Sequence, residues 1–240
     1  MLLALALVAV LAGAGLQRMT GLGFALVSGP VLVLLLDPIN GISLANLLSA
    51  ITAVTVLATT WRHIDWRLAW QLSLGIAIAV VPGALVVHSL PRPWLLILVG
   101  ALTAVAVAVV MARRPLRLLR KPGGAVVAGL VSGFSNVTAG VGGPALAVYG
   151  ASTDWHSKTF VPTVQVSLLL ANVLSLVSKQ QLTLPPAIVL AAVGAVVAGI
   201  LVGSYIQRWV DHSLARRLVL VIALIGALAS AGKGLFELLS

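Results

Sequence analysis

The 240-residue chain is 60% hydrophobic and 8% charged, with a mean hydropathy of +1.15 and a formal net charge of +10. A soluble domain carries roughly 25% charged residues, so this composition excludes a water-facing globular surface and, at this length, any sizeable soluble part beside the membrane domain. The chain has no cysteine, which excludes disulfide, thiolate and iron–sulfur chemistry. Its positive charges lie in short loops between apolar runs, which argues against nucleic acid and for a multi-pass protein of the cell membrane.

The first apolar run, residues 2–36, is too long for one crossing. As a single straight helix it would measure about 52 Å, against a hydrocarbon core of about 30 Å. Its one charge, Arg18, sits in GLQRMTGLG (15–23) with Gln17, Thr20, Gly21 and Gly23. No Lys or Arg precedes the run, so a cleaved signal peptide is not expected. Three runs of spanning length follow, near 41–60, 68–89 and 94–112, separated by WRHIDWR (61–67) and LPRP (90–93). The stretch RRPLRLLRKPGG (113–124) reads as a basic cytoplasmic linker. Beyond it, 125–150 is again interrupted, by GFSNVTAGVGGP (133–144), before three more spans near 159–178, 186–206 and 214–236. Their punctuation is STDWHSK (152–158), SKQQLTLPP (178–186) and QRWVDHSLARR (207–217).

Sliding the chain on itself by 119 residues aligns Gly21 with Gly140, Gly23 with Gly142, Gln17 with Asn136, Asn46 with Gln165 and Gly75 with Gly194. An offset of 120 aligns Ala79 and Gly83 with Gly199 and Gly203, small-residue pairs that let helices approach closely. The fold expected is therefore all-α and polytopic. Residues 1–112 and 125–240 form two repeats, each a broken segment followed by three transmembrane helices, joined by 113–124. If each broken segment crosses once, Lys and Arg divide nine to five between the two sides. If each is a re-entrant hairpin, they divide eleven to three. The sharper bias favours hairpins, and an odd number of crossings per half makes the second repeat inverted, as in many secondary transporters.

Interruptions rich in glycine are tolerated at membrane depth where they are buried in protein or line a wet cavity. A helix beginning there presents unpaired N–H groups and a partial positive charge, a ready anion site. Segments starting near Phe24 and Gly143 would do this, with Pro144 suited to a first helical turn. The candidate substrate-binding residues are Gln17, Arg18, Thr20, Gly21, Gly23, Asn46, Asn136, Thr138, Gly140, Gly142, Gly143 and Gln165. A packing role competes for each small residue. For Arg18, tying helix carbonyls together or reaching the interface competes with a place on the ligand's path. A charge at membrane depth must face protein or water in either case.

The four histidines fall at segment ends or loops, so neither haem nor a metal site is expected. No carboxylate lies inside a long span, which speaks against a buried Asp or Glu relay. Asp37, before Pro38, is expected to cap or turn the chain, and the six tryptophans cluster near segment ends as an interfacial belt.

GAGLQRMTGLGF and GLVSGFSNVTAGVGGPALAVYG resemble the paired glycine-rich signatures of the TauE/SafE family of sulfite exporter-like membrane proteins, and WRHIDWR resembles its basic-aromatic loop. The second copy is the closer match. The first has Gly21, Leu22, Gly23, Phe24 and Ala25 where the family commonly has three glycines and a proline. The resemblance implies export or uptake of small sulfur-containing anions such as sulfite or organosulfonates. The reading is a carrier of small anions working by alternating access, without cofactor. The competing readings are an anion channel, a non-transporting accessory subunit and a membrane-embedded enzyme. For the last, no carboxylate pair, His pair or Ser–His dyad is visible at membrane depth, and no GxxxxGK[ST] run is present for ATP hydrolysis. Small-residue faces permit a homodimer without requiring one.

Overall fold

The computed structural model describes residues 2–21, 24–112, 115–155, 157–179 and 182–239. Among these described residues ten α-helices follow one another: α1 (Leu2–Thr20), α2 (Phe24–Leu35), α3 (Pro38–Thr60), α4 (Trp66–Ser89), α5 (Arg92–Ala112), α6 (Gly124–Ala139), α7 (Gly143–Ser152), α8 (Ser157–Lys179), α9 (Pro186–Ile206) and α10 (His212–Leu239). Seven are long and apolar enough to cross a membrane, all but α2, α6 and α7. The protein is an all-α, multi-pass membrane protein, and its outward-facing leucines, valines and isoleucines are the surface such a protein presents to lipid.

Both interrupted segments fold back on themselves. The Ser28 hydroxyl on α2 donates to the Ala9 carbonyl of α1 at 3.0 Å, and the Phe24 N–H donates to Gln17 Oε1 at 3.0 Å, so α2 returns antiparallel along α1. Likewise the Ser152 hydroxyl, at the end of α7, accepts from the Leu116 N–H, ahead of α6. A returning helix of 12 residues (α2) or 10 (α7) measures only about 18 or 15 Å. The tips lie well inside the helical bundle. Gln17 Nε2 donates to Thr52 Oγ1, which sets the first tip about 12 Å short of the α3 C-terminus. Asn136 Nδ2 donates to Asn172 Oδ1, which sets the second about 10 Å short of the α8 C-terminus.

Hydrogen bonds at both ends of α3 and α8 fix their relative direction. Asn40, at the start of α3, exchanges bonds with Thr183 just past α8: Nδ2 donates to Oγ1 and Oδ1 accepts from the Thr183 N–H, each at 2.9 Å. At the far end the Asp65 N–H donates to Thr163 Oγ1 at 2.9 Å, early in α8. The two helices run antiparallel, and the hairpin beside each points its tip the opposite way. Asp37 caps α3 by accepting the Asn40 N–H.

Helix pairing repeats between the halves. α4 packs on α6, and its counterpart α9 packs on α1. Both contacts need glycine. A side chain at Gly75 would meet the Val126 carbonyl of α6, and one at Gly199 or Gly203 would meet the Leu11 or Gly15 carbonyl of α1. These small-residue faces are thus used inside the chain. Gly194, aligned with Gly75 by the offset of 119, has open space around it instead.

The described basic residues gather at one end. Arg62, Arg67, Arg117, Arg120, Lys121, Lys158, Arg208, Arg216 and Arg217 lie there, whereas Arg92, Lys179 and Lys233 lie at or toward the other. These are the basic end and the opposite end of the bundle. Residues 115–121 hold the second hairpin, Leu119 being buried against it and Arg120 pairing with Asp154 at 2.7 Å. Trp61, Trp66, Trp70, Trp94 and Trp209 are exposed near helix ends, while Trp155 packs edge-on against Tyr149 and Phe160.

Candidate functional site

The helix-ending glycines build the site. Gly21 and Gly140 hold φ of 76° and 73°, a left-handed conformation that costs glycine little and other residues more. The Gly21 N–H closes on the Gln17 carbonyl and the Gly140 N–H on the Asn136 carbonyl, both at 2.8 Å. The next helices start inside the bundle, at Phe24 and Gly143. The two tips meet around a cavity of about 40 Å³ lined by Gln17, Gly21 and Ala25 from the first hairpin and by Asn136, Gly140, Gly142, Gly143 and Pro144 from the second. Ser49 of α3 and Gln165, Leu168 and Asn172 of α8 close it. One water needs about 10–15 Å³ by this measure, so the cavity takes a few waters or one small oxyanion.

Its electrostatics come from dipoles rather than charges. The α7 N-terminus has no side-chain cap, and Pro144 contributes no N–H, so the free amides of the first turn are presented at the cavity edge. At α2, Gln17 already accepts the first N–H, from Phe24, while its Nε2 bonds Thr52. The second hairpin therefore has the more open helix start. Asn136 Nδ2 is committed to Asn172 Oδ1 at 3.0 Å and Ser175 Oγ at 3.2 Å. Ser49 and Ser132 hydroxyls and both amide atoms of Asn46 are buried without a partner among the described residues. Such groups are uncommon in folded interiors and point to a guest or water. Asn46, fully buried on α3, lies behind Gly140: a Cβ there would stand 3.7 Å from Asn46 Oδ1.

Of the residues expected at the site, Gln17, Gly21, Asn136, Gly140, Gly142, Gly143 and Gln165 line this one cavity. Asn46 backs it. Gly23 lies outside the described residues. Arg18 and Thr20 instead line larger cavities toward the basic end. One, of about 680 Å³, runs along Thr52, Thr55, Thr59 and Thr60 of α3 and shares Gln17, Gly21 and Gln165 with the central cavity. In it Arg18 is exposed, and its Nε donates to Ser204 Oγ of α9 at 2.9 Å. The other, of about 430 Å³, is lined by Thr20, Asp154, Trp155 and Arg216 among others, and shares Leu26 and Pro144 with the central cavity. Thr138 is buried with its hydroxyl donating to the Phe134 carbonyl, a packing arrangement. Ser49 and Ser132, small intramembrane residues for which packing is the expected role, join the site, as do Asn172 and Ser175, which the sequence does not mark.

Residues 5–230 match the family model described as Sulfite exporter TauE/SafE. The chain belongs to that family. No curated protein and no solved structure matches it. TauE/SafE proteins are membrane transporters of the sulfite exporter type, so this chain is an integral membrane transporter protein by family. Among the described residues no group of His, Asp and Glu is placed to hold a metal.

Proposed function

We propose that this TauE/SafE protein carries a small oxyanion, of the sulfite type, by alternating access around the cavity where its two hairpin tips meet. The observation that carries the reading is the convergence of Gln17, Gln165 and the uncapped α7 N-terminus on one small cavity, with Asn136 fixing the second tip against α8. Neutral amide dipoles hold an anion without trapping it as a fixed buried cation would, which suits a site that must also release. The cavity's size favours a compact oxyanion over a longer organosulfonate.

The antiparallel α3–α8 pair and the repeated α4–α6 and α1–α9 packing support an inverted repeat, the architecture in which one half rocks against the other. The wide cavities lie on the basic side of the site, and that side is cytoplasmic by the positive-inside bias. On this reading the structure is the inward-open state, closed at the opposite end by the Asn40–Thr183 bonds.

Sulfite flux in proteoliposomes tests the proposal. Flux that saturates with sulfite and is competed by sulfate or thiosulfate supports a carrier. Flux rising linearly far beyond millimolar concentrations would instead make the protein a channel.

A further inference from the structure

Lys179 ends α8 at 1% exposure, and its Nζ has no hydrogen-bond partner among the described residues. A buried ammonium without a counter-charge is expensive. The chain has only five acidic residues, and each is engaged elsewhere. Asp37 and Asp65 cap α3 and α4, Asp154 pairs with Arg120, Glu237 pairs with Arg92, and Asp211 accepts from Ser213. No carboxylate of the chain is left to pair with it, so a counter-charge would have to come from a guest.

Its position on α8 says which guest. Gln165, Leu168, Asn172, Ser175 and Lys179 are spaced three and four apart, so they share one helix face. The four polar members are each at most 3% exposed. The first three residues line the central cavity, Asn172 and Ser175 both bond Asn136, and Lys179 stands two turns beyond Asn172, about 10 Å toward the opposite end. On the basic side of the site the polar route is already open and carries Arg18. On the other side this stripe is a buried polar column leading away from the cavity.

We propose that the α8 stripe is the closed half of the anion's path, and that Lys179 is the cationic station that receives the anion as the protein opens at the opposite end. This rests on the transport reading above. Lys179 and Arg18 then bracket the central site, one cation on each side, with the dipolar cavity between them.

The cysteine-free chain permits a direct test. In Ser175→Cys protein, reconstituted in vesicles, a membrane-impermeant anionic methanethiosulfonate (sulfonatoethyl) and a cationic one (trimethylammonium-ethyl) are applied at the face carrying Arg92 and Glu237. Labelling is expected from that face. Relative to a free thiol, the anionic reagent should be favoured by about tenfold, on the order expected for one nearby unscreened charge. The preference should vanish in Ser175→Cys/Lys179→Gln and persist in Ser175→Cys/Lys179→Arg. No labelling from that face, or a reagent ratio indifferent to Lys179→Gln, overturns the assignment. Wild-type sulfite flux in the same vesicles separates the two readings. Flux without labelling overturns this assignment alone. Charge-selective labelling without flux overturns the transport reading alone.

Discussion

Gly21 and Gly140, 119 residues apart, end α1 and α6 in the same left-handed backbone conformation, and the residues whose carbonyls they close on, Gln17 and Asn136, face a single cavity. One local device, used twice, puts two helix starts at depth and brings them together. The device is backbone-based, so substitutions that act on the backbone should act alike in both copies.

Gly21→Ala and Gly140→Ala are each expected to cost about 1–2 kcal/mol, the penalty of a left-handed non-glycine residue. No clash adds to this: a Cβ at Gly21 meets nothing within 4 Å and one at Gly140 makes only ordinary contacts. Thermal unfolding in detergent checks it, and Gly140→Asn should lose less, since asparagine tolerates this conformation.

Gly142→Ala should weaken anion binding by about tenfold or more, equivalent to ~1.4 kcal/mol. A Cβ there would stand 2.9 Å from Ser132 Oγ and 3.0 Å from Asn136 Cβ, so Asn136 must move. Titration calorimetry with sulfite reads the loss directly.

Asn136→Ala removes two buried hydrogen bonds and strands Asn172 Oδ1 and Ser175 Oγ, for an expected cost of about 1–3 kcal/mol in stability. Asn136→Asp keeps the shape but sets a carboxylate at the cavity. Sulfite should raise the unfolding temperature of the wild type and leave that of the aspartate variant unchanged.

Arg18→Gln should raise the KM for sulfite several-fold and flatten its dependence on ionic strength, leaving kcat and unfolding temperature near wild type. Arg18 stands exposed in the larger cavity, held by one bond to Ser204, a place from which, on the transport reading, it would concentrate anions rather than bind the one in transit. Flux measured across a salt series distinguishes this from a structural role, which would lower stability instead.

Much of this arrangement is legible in the residues, and what is not has a physical cause. Glycine clusters inside apolar runs mark both interruptions because few other residues turn the chain left-handed at depth. Helix rotation accounts for the residues placed elsewhere. One residue is about 100° of turn, so Gln17 faces the cavity while Arg18 faces α9, and Thr138, two residues past Asn136, looks back into α6 packing. Lys179 reads as a loop charge in SKQQLTLPP, yet α8 extends to include it and the bundle buries it. Its burial depends on helices distant in sequence, which no local pattern reports. The same holds for Asn172 and Ser175, polar positions in a span whose facing partner, Asn136, belongs to the second hairpin.

Gly75 and Gly194 show the same limit. They align in the repeat, but Gly75→Ala should destabilise strongly by driving α4 off α6, whereas Gly194→Ala should be neutral or raise the unfolding temperature, glycine being about 1 kcal/mol worse than alanine within a helix. Parallel melting curves of the two variants decide it.

The central claim is that an oxyanion sits between the two tips. Selenite, the selenium analogue of sulfite, makes this visible by anomalous scattering from crystals of the complex. The account predicts a selenium peak in the cavity between Gln17 and the α7 N-terminus, within hydrogen-bond reach of Gln165 or the first-turn amides of α7. A peak confined to the Arg18 cavity, with the space between the tips empty of selenium at saturating selenite, would contradict it.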